Sequence, residues 1–107
     1  IFSVYAETKT AEDYCDRGNG RYDIGNYAGA IKDYTKAIEL DPKDADKFFN
    51  RAVIRAELQE YLSAIDDYTK SLELDASDPD VYNFRGVARY NIGDLDGALS
   101  DWPSVVF

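Results

Sequence analysis

The stretch Ala30-Ile31-Lys32-Asp33-Tyr34-Thr35-Lys36-Ala37-Ile38-Glu39-Leu40-Asp41 is rewritten further along as Ala64-Ile65-Asp66-Asp67-Tyr68-Thr69-Lys70-Ser71-Leu72-Glu73-Leu74-Asp75, an offset of 64 − 30 = 34 residues. A third, clipped copy begins at Ala98-Leu99-Ser100-Asp101-Trp102. A segment repeated at a fixed spacing of this size marks a solenoid, because each unit is too small to bury its apolar face alone and buries it against its neighbours. About three units are needed for such stacking to hold.

Around each copy the apolar residues fall at helical spacing. Tyr14, Gly18 and Tyr22 precede Gly25-Asn26, and Tyr27, Ala30, Ile31, Tyr34, Ala37 and Ile38 follow it. This predicts two amphipathic helices joined by a tight turn, with glycine as a left-handed C-cap. The second unit repeats the layout with Phe48, Ala52, Ala56, Tyr61, Ala64, Ile65, Tyr68 and Leu72, but puts Gln59-Glu60 at the turn, which predicts a slightly strained corner. In the third, Asp78 caps a helix that starts at Pro79, and Gly93-Asp94 makes the turn. The expected organisation is an N-terminal arm over 1–10, repeats over 11–44 and 45–78, a truncated repeat over 79–102 and a C-terminal tail over 103–107.

Composition narrows the function classes. Hydrophobic residues make up 45% and charged residues 31% of the 107, the balance of a folded chain. No apolar run approaches the roughly 20 residues that span a bilayer. The net charge of −9 repels nucleic acid and anionic lipid, so a charged partner is expected to be basic. With no histidine and one cysteine, Cys15, the usual zinc and haem sites, an internal disulfide and the His-based nucleophile systems are not expected. No enzymatic activity, metal or cofactor is therefore anticipated. The chain has no methionine, which reads as a processed or truncated product and leaves a cytoplasmic or an organellar location open.

Three motif copies bring a family into view. An aromatic (Tyr14, Phe48, Tyr82) leads a small residue (Gly18, Ala52, Gly86), then Gly25 or Gly93 at the turn with Tyr27, Tyr61 or Leu95 after it. A second small residue (Ala30, Ala64, Ala98), an aromatic (Tyr34, Tyr68, Trp102), Ala37 or Ser71, and Pro42 complete the pattern. From about Ala11 to Trp102 the chain resembles the tetratricopeptide repeat family. The resemblance implies an all-α, right-handed superhelical solenoid of antiparallel helix pairs, and a role in holding other proteins together.

Two departures carry expectations of their own. Pro103 falls where the third unit's second helix should continue, so that helix is predicted to stop near Trp102. The apolar Ser104-Val105-Val106-Phe107 then leaves the end uncapped, and Ile1-Phe2-Ser3-Val4-Tyr5 alternates like a strand or extended arm. Phe2, Val4, Tyr5, Val105, Val106 and Phe107 are candidate partner-docking residues; the alternative for the arm is a frayed terminus.

Arg17, Arg51 and Arg85 recur at the repeat interval, as do Arg21, Arg55 and Arg89 one turn later, and Asp33, Asp67 and Asp101 keep the same period. An anion-binding stripe is one reading. An Arg-Asp ladder stitching neighbouring units is the simpler one, since guanidinium suits partly buried, two-pronged pairing.

The resemblance further implies a concave groove lined by the first helix of each unit. On this chain the positions are Glu12, Cys15, Asn19, Tyr22 and Asp23, then Asp46, Phe49, Val53, Ala56 and Glu57, then Asp80, Asn83, Val87, Tyr90 and Asn91. None is basic. Aromatic and aliphatic anchors with an acidic rim suit a basic or amphipathic protein segment, although Tyr22, Phe49 and Tyr90 also fit as packing residues between units. One subgroup of the family clamps the acidic carboxyl tails of heat-shock chaperones with lysine, asparagine and arginine. Asn19 and Asn50 match two of those positions, but Cys15, Asp80 and Phe84 stand where basic residues are required, so binding of a Glu-Glu-Val-Asp tail is not expected. Cys15 is expected to be an inert thiol, its acidic neighbours raising its pKa. Two functions compete: an interaction module with the groove as its site, and a structural or assembly subunit of a larger, even organellar or membrane-associated, complex docked through its ends. A regulatory fragment of an enzyme is a third.

Overall fold

The computed structural model describes residues 9–102, and the candidate docking residues Phe2, Val4, Tyr5, Val105, Val106 and Phe107 lie outside them. Six α-helices make up the described residues: α1 Ala11–Asp23, α2 Tyr27–Leu40, α3 Ala45–Glu57, α4 Tyr61–Leu74, α5 Pro79–Asn91 and α6 Leu95–Asp101. They pack as three antiparallel pairs, α1 on α2, α3 on α4 and α5 on α6, and each pair stacks on the next. The fold is an all-α helical repeat.

Local sequence sets the helix starts. The Thr10 hydroxyl accepts from the Asp13 amide while the Asp13 carboxylate accepts from the Thr10 amide, a closed capping box. Asn26, Asp44, Asp78 and Asp94 each accept from a first-turn amide. Glu60, before α4, makes no such side-chain bond. The turns into α2 and α6 place Gly25 at φ +82° and Gly93 at φ +83°; the turn into α4 holds Gln59 at φ +62°. α6 is half the length of α2 and α4, and Trp102 is its C-cap, directly before Pro103.

Small residues let the pairs close. Ala30, Ala52, Ala64 and Ala98 are buried, and a Cβ on Gly86 would stand 2.4 Å from the Trp102 indole nitrogen. Each unit's core is finished by the next unit's first helix. Ile54 of α3 joins Cys15, Ala30, Tyr34 and Ala37, while Val81 and Ala88 of α5 join Ala52, Ala64, Tyr68 and Leu72. In the third unit Leu95 and Leu99 are exposed among the described residues, whereas Tyr61 and Ile65 at the equivalent positions of the second pack against its core.

The ladder differs from the expectation in its direction. Asp33 accepts from Arg17 and Arg21, Asp67 from Arg51 and Arg55, and Asp101 from Arg85 and Arg89, at 2.7–3.1 Å and always within one unit. Sixteen residues separate the aspartate from its first arginine, the distance across one helical hairpin, and among the described residues no ladder aspartate pairs with another unit's arginine. Threonine hydroxyls bridge the units instead: Thr35 accepts from Arg51 at 3.2 Å and Thr69 from Arg85 at 3.3 Å. All three aspartates are buried, and among the described residues no buried side-chain polar atom lacks a partner.

Two stability effects follow. Asp67→Ala strands two guanidiniums beside an emptied carboxylate site and should cost about 3 kcal/mol, read by denaturant unfolding; a loss no larger than that of an exposed control such as Asp66→Ala would contradict the ladder's role. Gln59→Gly removes a side chain from a left-handed conformation and should stabilise by ~0.5–1 kcal/mol. An unchanged or lower melting temperature would show that the turn is not strained.

Candidate functional site: the face built by the first helices

The first helices α1, α3 and α5 lie side by side, and a hollow of about 260 Å³ opens between them. Its walls are Asn19 and Tyr22 from α1, Phe49, Asn50, Val53 and Ile54 from α3, Phe84 from α5, and Tyr34 from α2 beneath. Repeat geometry explains this set. Residues one or two turns apart on a helix share a face, and the stacking aligns the equivalent face of each first helix.

The floor is aromatic. The Phe49 and Phe84 rings meet edge to face at 5.3 Å, and the Tyr68 ring lies 5.9 Å from the first and 6.2 Å from the second. Polar groups on the walls are held rather than free: the Tyr34 hydroxyl donates to the Asn19 side-chain oxygen, and the Tyr22 hydroxyl to the Glu57 carboxylate across the joint between the first two units. The neighbouring Glu57 carboxylate raises the pKa of Tyr27. The hydrogen bond to Glu57 pushes the Tyr22 hydroxyl up to about 12, and burial pushes Tyr34 to about 12. Burial raises Tyr68 too, with Asp67 and Glu57 adding to it. Asp16 and Asp23 stand close enough to Tyr34 to act in the same direction. Among the described residues, none that lines the hollow is basic.

The structure distributes the expected groove residues unevenly. Asn19, Tyr22, Phe49 and Val53 come together at the hollow, with Glu57 on its edge through Tyr22. Asp46, Asp80, Asn83 and Val87 are exposed on the same helices but outside the hollow. Tyr90 is exposed and stands beside Trp102 at 6.2 Å, and the Trp102 indole donates to the Asn83 carbonyl. Cys15 is not a lining residue: it is buried in the first unit's core, and burial raises its thiol pKa. Ala56 likewise packs against the second unit's core.

Glu12 has an occupation that the sequence did not reveal. Lys47 is buried, its ammonium 2.6 Å from Asp44, 2.9 Å from Glu12 and 3.5 Å from Asp41, which fastens α1 to α3. Burial alone would lower the Lys47 pKa, but the hydrogen bonds to Asp44 and Glu12 more than reverse this and raise it. A signal was available: one period later the position is Val81, a core residue. Phe84, Asn50, Tyr34 and Ile54 complete the hollow, and only the fold shows that they share it.

Family models agree with this architecture: one described as TPR repeat matches residues 18–59, and one described as tetratricopeptide repeat matches 46–78. The second TPR of Spaghetti (RPAP3), bound to the HSP90 peptide SRMEEVD, superposes with a TM-score of 0.85 at 33% identity over 95% of this chain and 94% of that one. The chain belongs to the tetratricopeptide repeat family. The second TPR domain of human RPAP3, in complex with the HSP70 peptide SGPTIEEVD, is similar over 88% of this chain and 78% of that one, with 36% identity and a TM-score of 0.83. Among curated proteins, the SGT1 homolog of Oryza sativa subsp. japonica shares 48% identity over 40 residues, 37% of this chain and 11% of that protein's length. This tetratricopeptide domain is a protein–protein interaction module.

The raised tyrosines set a pH dependence with a definite sign. A hydroxyl with a folded pKa near 12 and an unfolded value of 10 stabilises the fold fully below pH 10, and that contribution is lost as pH rises through 10 to about 12. Unfolding free energies at pH 8 and pH 11.5 should therefore drop more for the native chain than for Tyr22→Phe. Equal drops would mean that the Tyr22–Glu57 bond does not survive in solution.

Proposed function

We propose that this tetratricopeptide domain is an adaptor whose α1–α3–α5 face captures a basic or amphipathic segment of a partner protein. The observation that carries the reading is the unequal placement of charge. Every arginine of the chain, at 17, 21, 51, 55, 85 and 89, is engaged with a buried aspartate, and Lys47 is buried among three carboxylates. Asp16, Asp23, Asp46, Glu57 and Asp80 remain exposed on the first helices, around an apolar hollow that no cation lines. Contacts are proposed at Asn19, Tyr22, Asp46, Phe49, Val53, Glu57, Asp80, Asn83, Val87 and Tyr90, with Glu12 acting through Lys47.

The Spaghetti and human RPAP3 domains hold peptides that end in EEVD. Here Cys15, Asp80 and Phe84 stand where such a tail would need cations, and Asp16, Asp23 and Glu57 would repel it. The acids instead favour a cationic segment, whose apolar residues gain from burial in the hollow. Catalysis forms no part of this reading.

Fluorescence anisotropy with three labelled peptides tests it: twelve residues of alternating leucine and arginine, the leucine–glutamate counterpart, and SRMEEVD. The arginine peptide should bind at least about tenfold more tightly than either other, a difference of roughly 1.4 kcal/mol, and Val53→Asp should weaken it. Tighter binding of SRMEEVD, or no binding of the arginine peptide, would overturn the proposal. A second reading, a fixed subunit of a larger assembly, is favoured by Leu95 and Leu99, 56% and 49% exposed at the clipped third unit. Light scattering after size exclusion separates the two: the adaptor is monodisperse alone, the subunit is not.

A further inference from the structure

The hollow sets aromatic rings beside a positioned carboxylate. Glu57 follows Val53 by one helical turn, and the Tyr22 hydroxyl that donates to it fixes its place although it is solvent-facing. A carboxylate offers about four lone-pair sites, so the Tyr22 hydroxyl leaves acceptor capacity for a further donor. Phe49 and Phe84 form the apolar floor next to it.

Elsewhere the chain makes this combination three times and fills it each time from within. Arg17 lies over the Tyr14 ring at 5.4 Å, Arg51 over Phe48 at 5.7 Å and Arg85 over Tyr82 at 5.6 Å, and each guanidinium is forked onto its unit's buried aspartate. At the hollow the ring and the carboxylate are both in place, and the described residues supply no cation to the walls.

Resting on the groove reading above, we propose that the hollow is an arginine subsite. A partner's arginine lays its methylene stem along Tyr22, Phe49 and Val53 and sets its guanidinium on the Glu57 carboxylate. Charge selects this occupant: a glutamate or aspartate would face Asp16, Asp23 and Glu57 together, and a purely apolar side chain would fill the floor without using the carboxylate. Lysine brings a point charge with no planar face to lay against the rings, so it ranks below arginine.

The test compares labelled twelve-residue peptides in which leucine alternates with arginine, with lysine or with citrulline, which keeps arginine's shape and removes its charge. They are titrated with the native chain, with Glu57→Gln and with Glu73→Gln; Glu73 is an exposed α4 acid paired with Lys70, so its variant changes net charge equally away from the hollow. Arginine should be preferred over citrulline by about tenfold or more in the native chain and in Glu73→Gln, with lysine between them, and the preference should fall to about threefold or less in Glu57→Gln. An equal fall in both variants, or no fall in either, overturns the subsite while the binding itself keeps the adaptor reading standing. Failure of the arginine peptide to bind the native chain overturns both.

Discussion

A buried aspartate answered by two guanidiniums is the arrangement on which each unit depends. Asp33, Asp67 and Asp101 sit where α1 meets α2, α3 meets α4 and α5 meets α6, away from water that would otherwise solvate them. An uncompensated carboxylate there would cost several kcal/mol, and the forked arginine with its i+4 neighbour supplies the missing hydrogen bonds. In units two and three the same guanidinium also reaches a threonine of the preceding unit, so one side chain closes its own hairpin and registers it on its neighbour. Because arginine does both, the geometry of the pair and of the stack are coupled.

That coupling shapes the surface. With the arginines turned toward the interior aspartates, and Lys47 drawn in beside Glu12, Asp41 and Asp44, the first helices are left with carboxylates outside. The acidic face is a consequence of how the units are closed. A groove that uses its cations for structure has none left to hold an acidic tail, and this is the physical ground on which the domain's proposed ligand differs from the EEVD peptides held by the Spaghetti and human RPAP3 domains.

The joints between units are not alike. Units one and two are fastened by polar links on either side of the hollow, Lys47 to Glu12 and Tyr22 to Glu57. One period later those residues become Val81 and Asp46, and Ala56 and Asn91, so neither link is repeated. Beyond the Arg85–Thr69 bond, the second joint relies on Val81 and Ala88 entering the core of unit two and on the Phe49–Phe84 contact. The hollow lies where the two kinds of joint meet, one wall positioned by hydrogen bonds and the other by ring packing.

The sequence by itself determined the repeat, the six helices, their turns and that the periodic arginines pair with the periodic aspartates, because these depend on local spacing: a helical period, a glycine or a forced Gln59 at φ +62°, arginines and aspartates that keep one period. It also determined that the groove positions of the first helices would carry acids and no basic residue. Only the tertiary structure decided that the ladder closes units from within, that Cys15 and Ala56 pack inward, that Lys47 is buried, and that Tyr22, Phe49, Val53 and Phe84 share one hollow beside Glu57. The reason is that periodicity relates equivalent residues, one unit to the next. The site is built from inequivalent ones, whose meeting depends on the rotation and rise between stacked helix pairs, and no spacing along the chain encodes that distance.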